Sequence, residues 1–281
     1  MNRFLSIVIV FLLVIAGSGL AVNYSWTGGG DGLDWTDADN WSVADYPSDA
    51  SAVWVLMNSG TPNIYDGDSG MAYNTRVGNS GGAASLTVHS GGYLNVTNTW
   101  YIANDSTSDG LVTLRAGGQI DNKGCNVAYG GTGQWLQEGG TSTYTSVVNV
   151  GYLSGAVGTI TMQDGLYSGA TLLRVGKAGE GYLNMTGGLM QINGFLDIAT
   201  DAGSTGHVQL DGGTIEALNI RLDKSEGAVS ASMDITDGTL QITRSDANSV
   251  EWEAFKADLE GLGITGYGST ANVEYKYQDR D

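Results

Sequence analysis

Three groups of residues in this chain have the types and spacing that chemistry requires. The first is Gly29-Gly30-Asp31-Gly32-Leu33-Asp34-Trp35-Thr36-Asp37, which fits the calcium nonapeptide G-G-x-G-x-D-x-U-x except that Thr36 takes the apolar place. Carboxylate oxygens suit Ca2+, so Asp31, Asp34 and Asp37 are candidate metal ligands, and calcium is the one cofactor for which the sequence offers residues. A calcium roll shares each ion between successive copies of its motif, whereas here the motif stands once. A Gly- and Asp-rich turn between tryptophans needs no ion. The second group is Trp26, Trp35 and Trp41, whose rings could form a platform for sugars or the core of an end cap. The third is Arg174, Asp197 and Arg221, which hold one position in three consecutive repeats. They make a charge-alternating ladder suited to cross-strand pairing, with Arg174 and Arg221 the candidate contacts for a ligand.

Catalysis finds less support. Asp164 and Asp237 are equivalent in the repeat but three turns apart, about 14 Å at the strand spacing, too far for an acid-base pair. His89 and His207 fall in different columns, and neither Gly-x-Ser-x-Gly nor His-Glu-x-x-His occurs. The loops are short and polar, whereas a catalytic groove on a solenoid is normally walled by longer insertions. No catalytic residue is assigned.

What positions the Arg174, Asp197 and Arg221 ladder is a repeat. About every 24 residues an apolar residue is followed by a small one, as in Val77-Gly78, Ile102-Ala103, Val127-Ala128, Val150-Gly151, Val175-Gly176 and Ile198-Ala199; a fixed period of this size marks stacked supersecondary units. A second element, small-x-apolar-x-apolar-x-x-Gly, runs from Ala84–Gly91 to Ala231–Gly238 in seven copies. Its alternation is that of a half-buried strand, and its last Gly suits a corner. Parallel stacking with right-handed crossovers predicts an all-β fold, a right-handed parallel β-helix of about seven coils. In the third copy the pattern places Trp135 and Gln137 inward. A one-residue register shift that turns Leu136 inward is the plainer expectation; the alternative is a buried Gln137 with a partner.

The division expected is a signal peptide at 1–21, an N-terminal Trp-rich cap at 22–74, the β-helix at 75–243 and a C-terminal helix-strand cap at 244–281. Arg3, the apolar run Phe4–Ile15 and Gly19-Leu20-Ala21 have the order of an export signal. No membrane anchor is expected in the mature chain. Trp252, Phe255, Leu259 and Leu262 make one stripe of a short helix, and Asn272–Gln278 alternates as a last strand. The net charge of −18 argues against nucleic acid as partner. Cys125 is the only cysteine, which excludes an intrachain disulfide, and its setting suits a packed thiol rather than a reactive one.

The opening from Trp26-Thr27-Gly28-Gly29 through Trp35 to Trp41-Ser42, followed by coils such as Gly181-Tyr182-Leu183-Asn184-Met185-Thr186-Gly187-Gly188, resembles secreted bacterial proteins with autotransporter-associated-type β-strand repeats. The resemblance covers nearly all of the mature chain. It implies a β-solenoid outside the cell, in a surface or matrix component, and brings no catalytic residues with it. The function expected is therefore structural or adhesive, at the cell surface or in extracellular matrix and without catalysis. The alternative is a polysaccharide-binding or polysaccharide-degrading β-helix. An extracellular glycan, a surface protein or a second copy of the chain are the partners this allows.

Overall fold

A computed structural model describes residues 22–49, 52–223, 227–243, 252–270 and 274. The expected signal peptide and, apart from Glu274, the expected last strand, Asn272–Gln278, lie outside the described residues. The chain is a parallel β-solenoid of about seven turns, with strands from Val22–Ser25 to Thr239–Ile242 hydrogen-bonded into one continuous sheet. Each turn carries three short strands, so the stacked strands form three faces. The first face holds Ala83–Val88, Asp109–Leu114, Thr132–Gln137 and their successors; the second begins each turn's next stretch, as at Thr141–Tyr144; the third ends it, as at Val147–Val150.

The alternation of apolar and polar residues sets the register. On the first face Leu86, Val112, Trp135, Ile160, Leu183, Val208 and Met233 pair one above the next, as do Val88, Leu114, Gln137, Met162, Met185, Leu210 and Ile235. Both columns point inward, and nearly every member is buried. A one-residue slip would turn a whole column to solvent, so burial fixes the pairing. No slip occurs at the third copy, contrary to the plainer expectation. Gln137 is fully buried: its Nε2 donates to the Leu166 carbonyl at 3.0 Å and its Oε1 accepts from the Ser142 hydroxyl at 2.9 Å. Supplying partners for one amide costs less than inverting a strand whose neighbours on both sides are in register.

Corners carry a second requirement. The small residue after each apolar one, at 78, 103, 128, 151, 176 and 199, has φ between +52 and +76, and Asp223 continues the column at +47. The column is small because the backbone there is left-handed, where glycine is free and an L-residue pays about 1 kcal/mol.

At the N-terminal end Trp35 is fully buried. It meets Trp41 edge-to-face at 4.8 Å, and Trp41 meets Trp26 at 5.0 Å. Two indole N–H groups of this end are satisfied, Trp35 by the Pro47 carbonyl at 3.2 Å and Trp41 by the Trp35 carbonyl at 2.7 Å. Trp35 lies over Gly70, where a side chain would meet the indole at 2.8 Å. Gly70 heads the inward column that continues with Leu94 and Ile120, so the indole supplies the rung that this glycine leaves empty. At the other end the helix Trp252–Gly261 follows the last full turn. Leu259 and Ile264 are buried, Leu262 packs against the core, and Thr265 pairs with Asp234 as a short parallel rung. The side chains of Trp252 and Phe255 lie outside the described residues.

Candidate functional site

The acidic loop at 29–37 spends its carboxylates on itself. Asp31 Oδ1 accepts from the Leu33 and Asp34 N–H groups at 2.8 and 2.9 Å and from the Asn40 amide at 2.8 Å. These donors, the Asp34 and Leu33 amides foremost, hold the Asp31 carboxyl below its usual range. Asp34 Oδ1 accepts from Thr36 N and Oγ1, and Asp37 accepts from Asp39 N and Asp31 N. Among the described residues no three His, Cys, Asp or Glu side chains gather as a metal site. Asp31, Asp34 and Asp37, the expected calcium ligands, use these oxygens to cap turns of the loop. Trp26, Trp35 and Trp41, expected as a sugar platform or as the core of a cap, lie inside the cap. All three are buried, and their faces are spent on one another beneath the loop.

The Arg174, Asp197, Arg221 column stacks in register on the third face. Its ions sort unequally. Arg221 binds Asp197 through two parallel contacts, Nε to Oδ1 at 2.7 Å and Nη2 to Oδ2 at 2.8 Å, and lies over the Phe195 ring at 4.2 Å. Asp197 is fully buried, so this fork is the strong kind of ion pair. Arg174 turns the other way and donates to Asn149 Oδ1 at 3.2 Å, and the Asn149 amide in turn donates to Asn126 at 2.9 Å. Arg221 is thereby committed to the fold. Arg174 keeps its charge free of any carboxylate among the described residues.

Sequence columns alone did not single out the surface to which Arg174 belongs. The same position in earlier turns holds Asn149, Asn126, Tyr101 and Arg76, in unbroken register. The Arg76 guanidinium lies 4.2 Å from the centre of the Trp54 ring and 5.8 Å from that of Tyr101, and the two rings are themselves 6.0 Å apart. Tyr101, Tyr129 and Tyr152 follow along the edge, at 5.2 Å edge-to-face and then 4.9 Å stacked, and Lys177 lies over Tyr152 at 5.0 Å. Beside this ladder runs a shallow groove of ≈ 420 Å³. Thr99, Gly124 and Val147 line it on the third-face strands; Asn98, Lys123 and Ser146 border it on one side, and Tyr101, Asn126 and Asn149 on the other. The groove is a surface of hydroxyl, amide and cationic groups. Its sequence signal is the pair of columns flanking each apolar-small doublet, read together: Tyr101, Asn126 and Asn149 before it, Tyr129, Tyr152 and Lys177 after it.

Cys125 borders this groove, but its side chain points inward. It is buried, and burial pushes the thiol well above its usual range. Since the thiolate is the reactive form, Cys125 in the native protein is expected to resist a thiol reagent at pH 8 for as long as the fold holds, and to react at once in denaturant. Rapid labelling of the native protein would contradict the buried placement.

Compared with protein-family models, curated proteins and solved structures, the chain has no significant match in any of the three.

Proposed function

We propose that this protein acts outside the cell as a structural or adhesive β-solenoid, at a surface or in extracellular matrix, through its third face and without catalytic turnover. One observation carries the reading. The chain has a net charge of −18, yet the third-face stretches 74–79, 99–104, 124–129, 147–152 and 172–177 contain no carboxylate. Four of the seven Lys and Arg residues among the described ones, Arg76, Lys123, Arg174 and Lys177, lie in or beside these stretches. A surface so unlike the rest of the molecule is suited to contact. The export signal read at residues 1–21 and the resemblance to autotransporter-associated-type repeats support a bacterial, extracellular setting.

Polysaccharide binding is the second reading, favoured by the groove with its tyrosine, asparagine and lysine lining. Hydrolysis fits it less well, because a glycosidase needs a pair of carboxyl groups and the lining has none. Co-sedimentation with isolated bacterial envelopes and with insoluble polysaccharides tests both forms. Wild type is expected in the pellet, and a Tyr129→Ser, Tyr152→Ser double variant with an unchanged melt is expected to lose most of that retention. Wild type remaining in the supernatant throughout would sink the adhesive reading. Release of soluble sugar in excess of protein would sink the non-catalytic one.

A further inference from the structure

The cations on the third face are spaced. Number its rungs from Arg76: Tyr101 is on the second, Asn126 on the third, Asn149 on the fourth and Arg174 on the fifth. Lys123 shares the third rung's strand, Gln119–Val127. Arg76, Lys123 and Arg174 thus stand on alternate rungs, about 10 Å apart along the axis. Lys123 lies across the groove from the column that holds the two arginines. None of the three pairs with a carboxylate among the described residues: Arg76 reaches Asn79, Lys123 reaches Asn98 and Arg174 reaches Asn149. The other two cations of this face are already engaged, Lys177 with Asp201 at 2.9 Å and Arg221 with Asp197. Between the free cations the face offers neutral hydrogen-bonding groups. The Arg174→Asn149→Asn126 relay ends with the Asn126 amide beside the groove.

The geometry points to a linear acidic polysaccharide of low charge density, lying along the groove parallel to the solenoid axis, with its carboxylates set about two rungs apart and neutral sugars between them. The inference rests on the adhesive reading and names its ligand class. A pyranose linked through equatorial bonds advances by a length comparable to one rung, so a charge on every second sugar matches a cation on every second rung. The intervening sugar hydroxyls meet tyrosine hydroxyls and amides. Charge density separates this ligand from nucleic acid, where a duplex carries one negative charge per roughly 1.7 Å. Three cations over about 19 Å neutralise few of those, while the acidic remainder of the protein repels the rest. A densely sulfated glycan is disfavoured for the same reason. Many weak, periodic contacts give a long polymer its affinity through multivalency.

Binding of the full mature chain to immobilised hyaluronan, which carries one carboxylate on every second sugar, and to its carboxyl-reduced form tests the proposal. Heparin, single-stranded DNA and isolated bacterial envelopes complete the panel. Hyaluronan is expected to bind and to be released by salt; the reduced polymer is expected to bind at least about tenfold more weakly, as loss of three surface ion contacts, one exposed and two half-buried, implies. Lys123→Ala, at an exposed site, and Arg76→Gln with Arg174→Gln should each weaken hyaluronan binding, while Arg115→Ala, on another edge and paired with Glu138, should not. Equal binding of the two hyaluronans, or tighter binding of heparin or DNA, overturns the charge-spacing inference and leaves adhesion standing. So does retention on envelopes without hyaluronan binding, or self-association lost in the Lys123 variant. Failure on envelopes and on every polymer overturns the adhesive reading with it.

Discussion

Gly181→Ala is expected to destabilise the protein by about 3 kcal/mol or more, lowering its melting temperature by about 10 °C. A Cβ at Gly181 would stand 2.0 Å from the Gly176 nitrogen, 2.7 Å from the Val175 carbonyl carbon and 2.8 Å from Gly176 Cα. All three are backbone atoms, and none can swing aside as a side chain does. The corner they belong to is held from the turn before, through Gly176 N–H to the Val150 carbonyl at 2.9 Å, and its left-handed φ of +76 leaves little room to readjust. One methyl group therefore has to separate two corners of the same turn. Gly155 is the matched control. Its φ is +82, and a Cβ there would meet nothing within 4 Å, so Gly155→Ala should cost about 1 kcal/mol of backbone strain. Because each turn of a solenoid touches only its neighbours, hydrogen exchange in Gly181→Ala should rise first in the strands on either side, Val157–Met162 and Thr205–Leu222. Equal melts for the two variants would mean that the corner yields, and that the small-residue column answers to something other than space.

The inward columns were legible in the sequence because two signals agree there. Leu183, Val208 and Met233 recur at a fixed period, and each sits two residues from another apolar partner and at a fixed distance from a corner glycine. Only one register buries all of them. The outward face obeys no such constraint. Lys123 sits at a corner where the ladder slips: pairing jumps from Val96–Asn122 to Thr99–Gly124 there, and from Ser168 to Ala170 and Ile192 to Phe195 on other turns. Periodicity cannot count those extra residues, so it could not place Lys123 across a groove from Asn126. Arg174 and Arg221 looked equivalent because they share a column. What divides them is Asp197, buried on the rung between and able to fork with only one of them; that choice is made by side-chain rotamers, on which strand patterning is silent. The tryptophans were misleading in the opposite direction. An indole is amphipathic, so composition allows it either a wet platform or a dry plug. Here the missing side chain of Gly70, far from Trp35 in sequence, decides for the plug.

That plug gives the second large effect. Trp35→Ala should cost about 3–5 kcal/mol, a cavity the size of an indole opening where Trp35 meets Gly70, Leu94 and Trp41. The loss extends beyond packing. The Trp35 backbone N–H donates to the Asn63 carbonyl at 2.9 Å and the Asn63 backbone N–H to the Leu33 carbonyl at 2.7 Å, so the loop anchored by the indole also covers a strand edge at this end of the solenoid. An edge left bare is a template for another chain. The variant is therefore expected to melt lower and also to associate with rising concentration, seen as growing light scattering at temperatures where wild type stays unchanged. A second substitution separates plugging from general damage. If Trp35 stands in for the side chain that Gly70 lacks, Gly70→Leu should destabilise wild type by driving into the indole, yet recover part of the loss in the Trp35→Ala background. A coupling of about 1 kcal/mol or more between the two positions is the expected result of that cycle. Additive losses would show that the indole and the glycine do not share one space, and the account of how the N-terminal end is closed would fall with it.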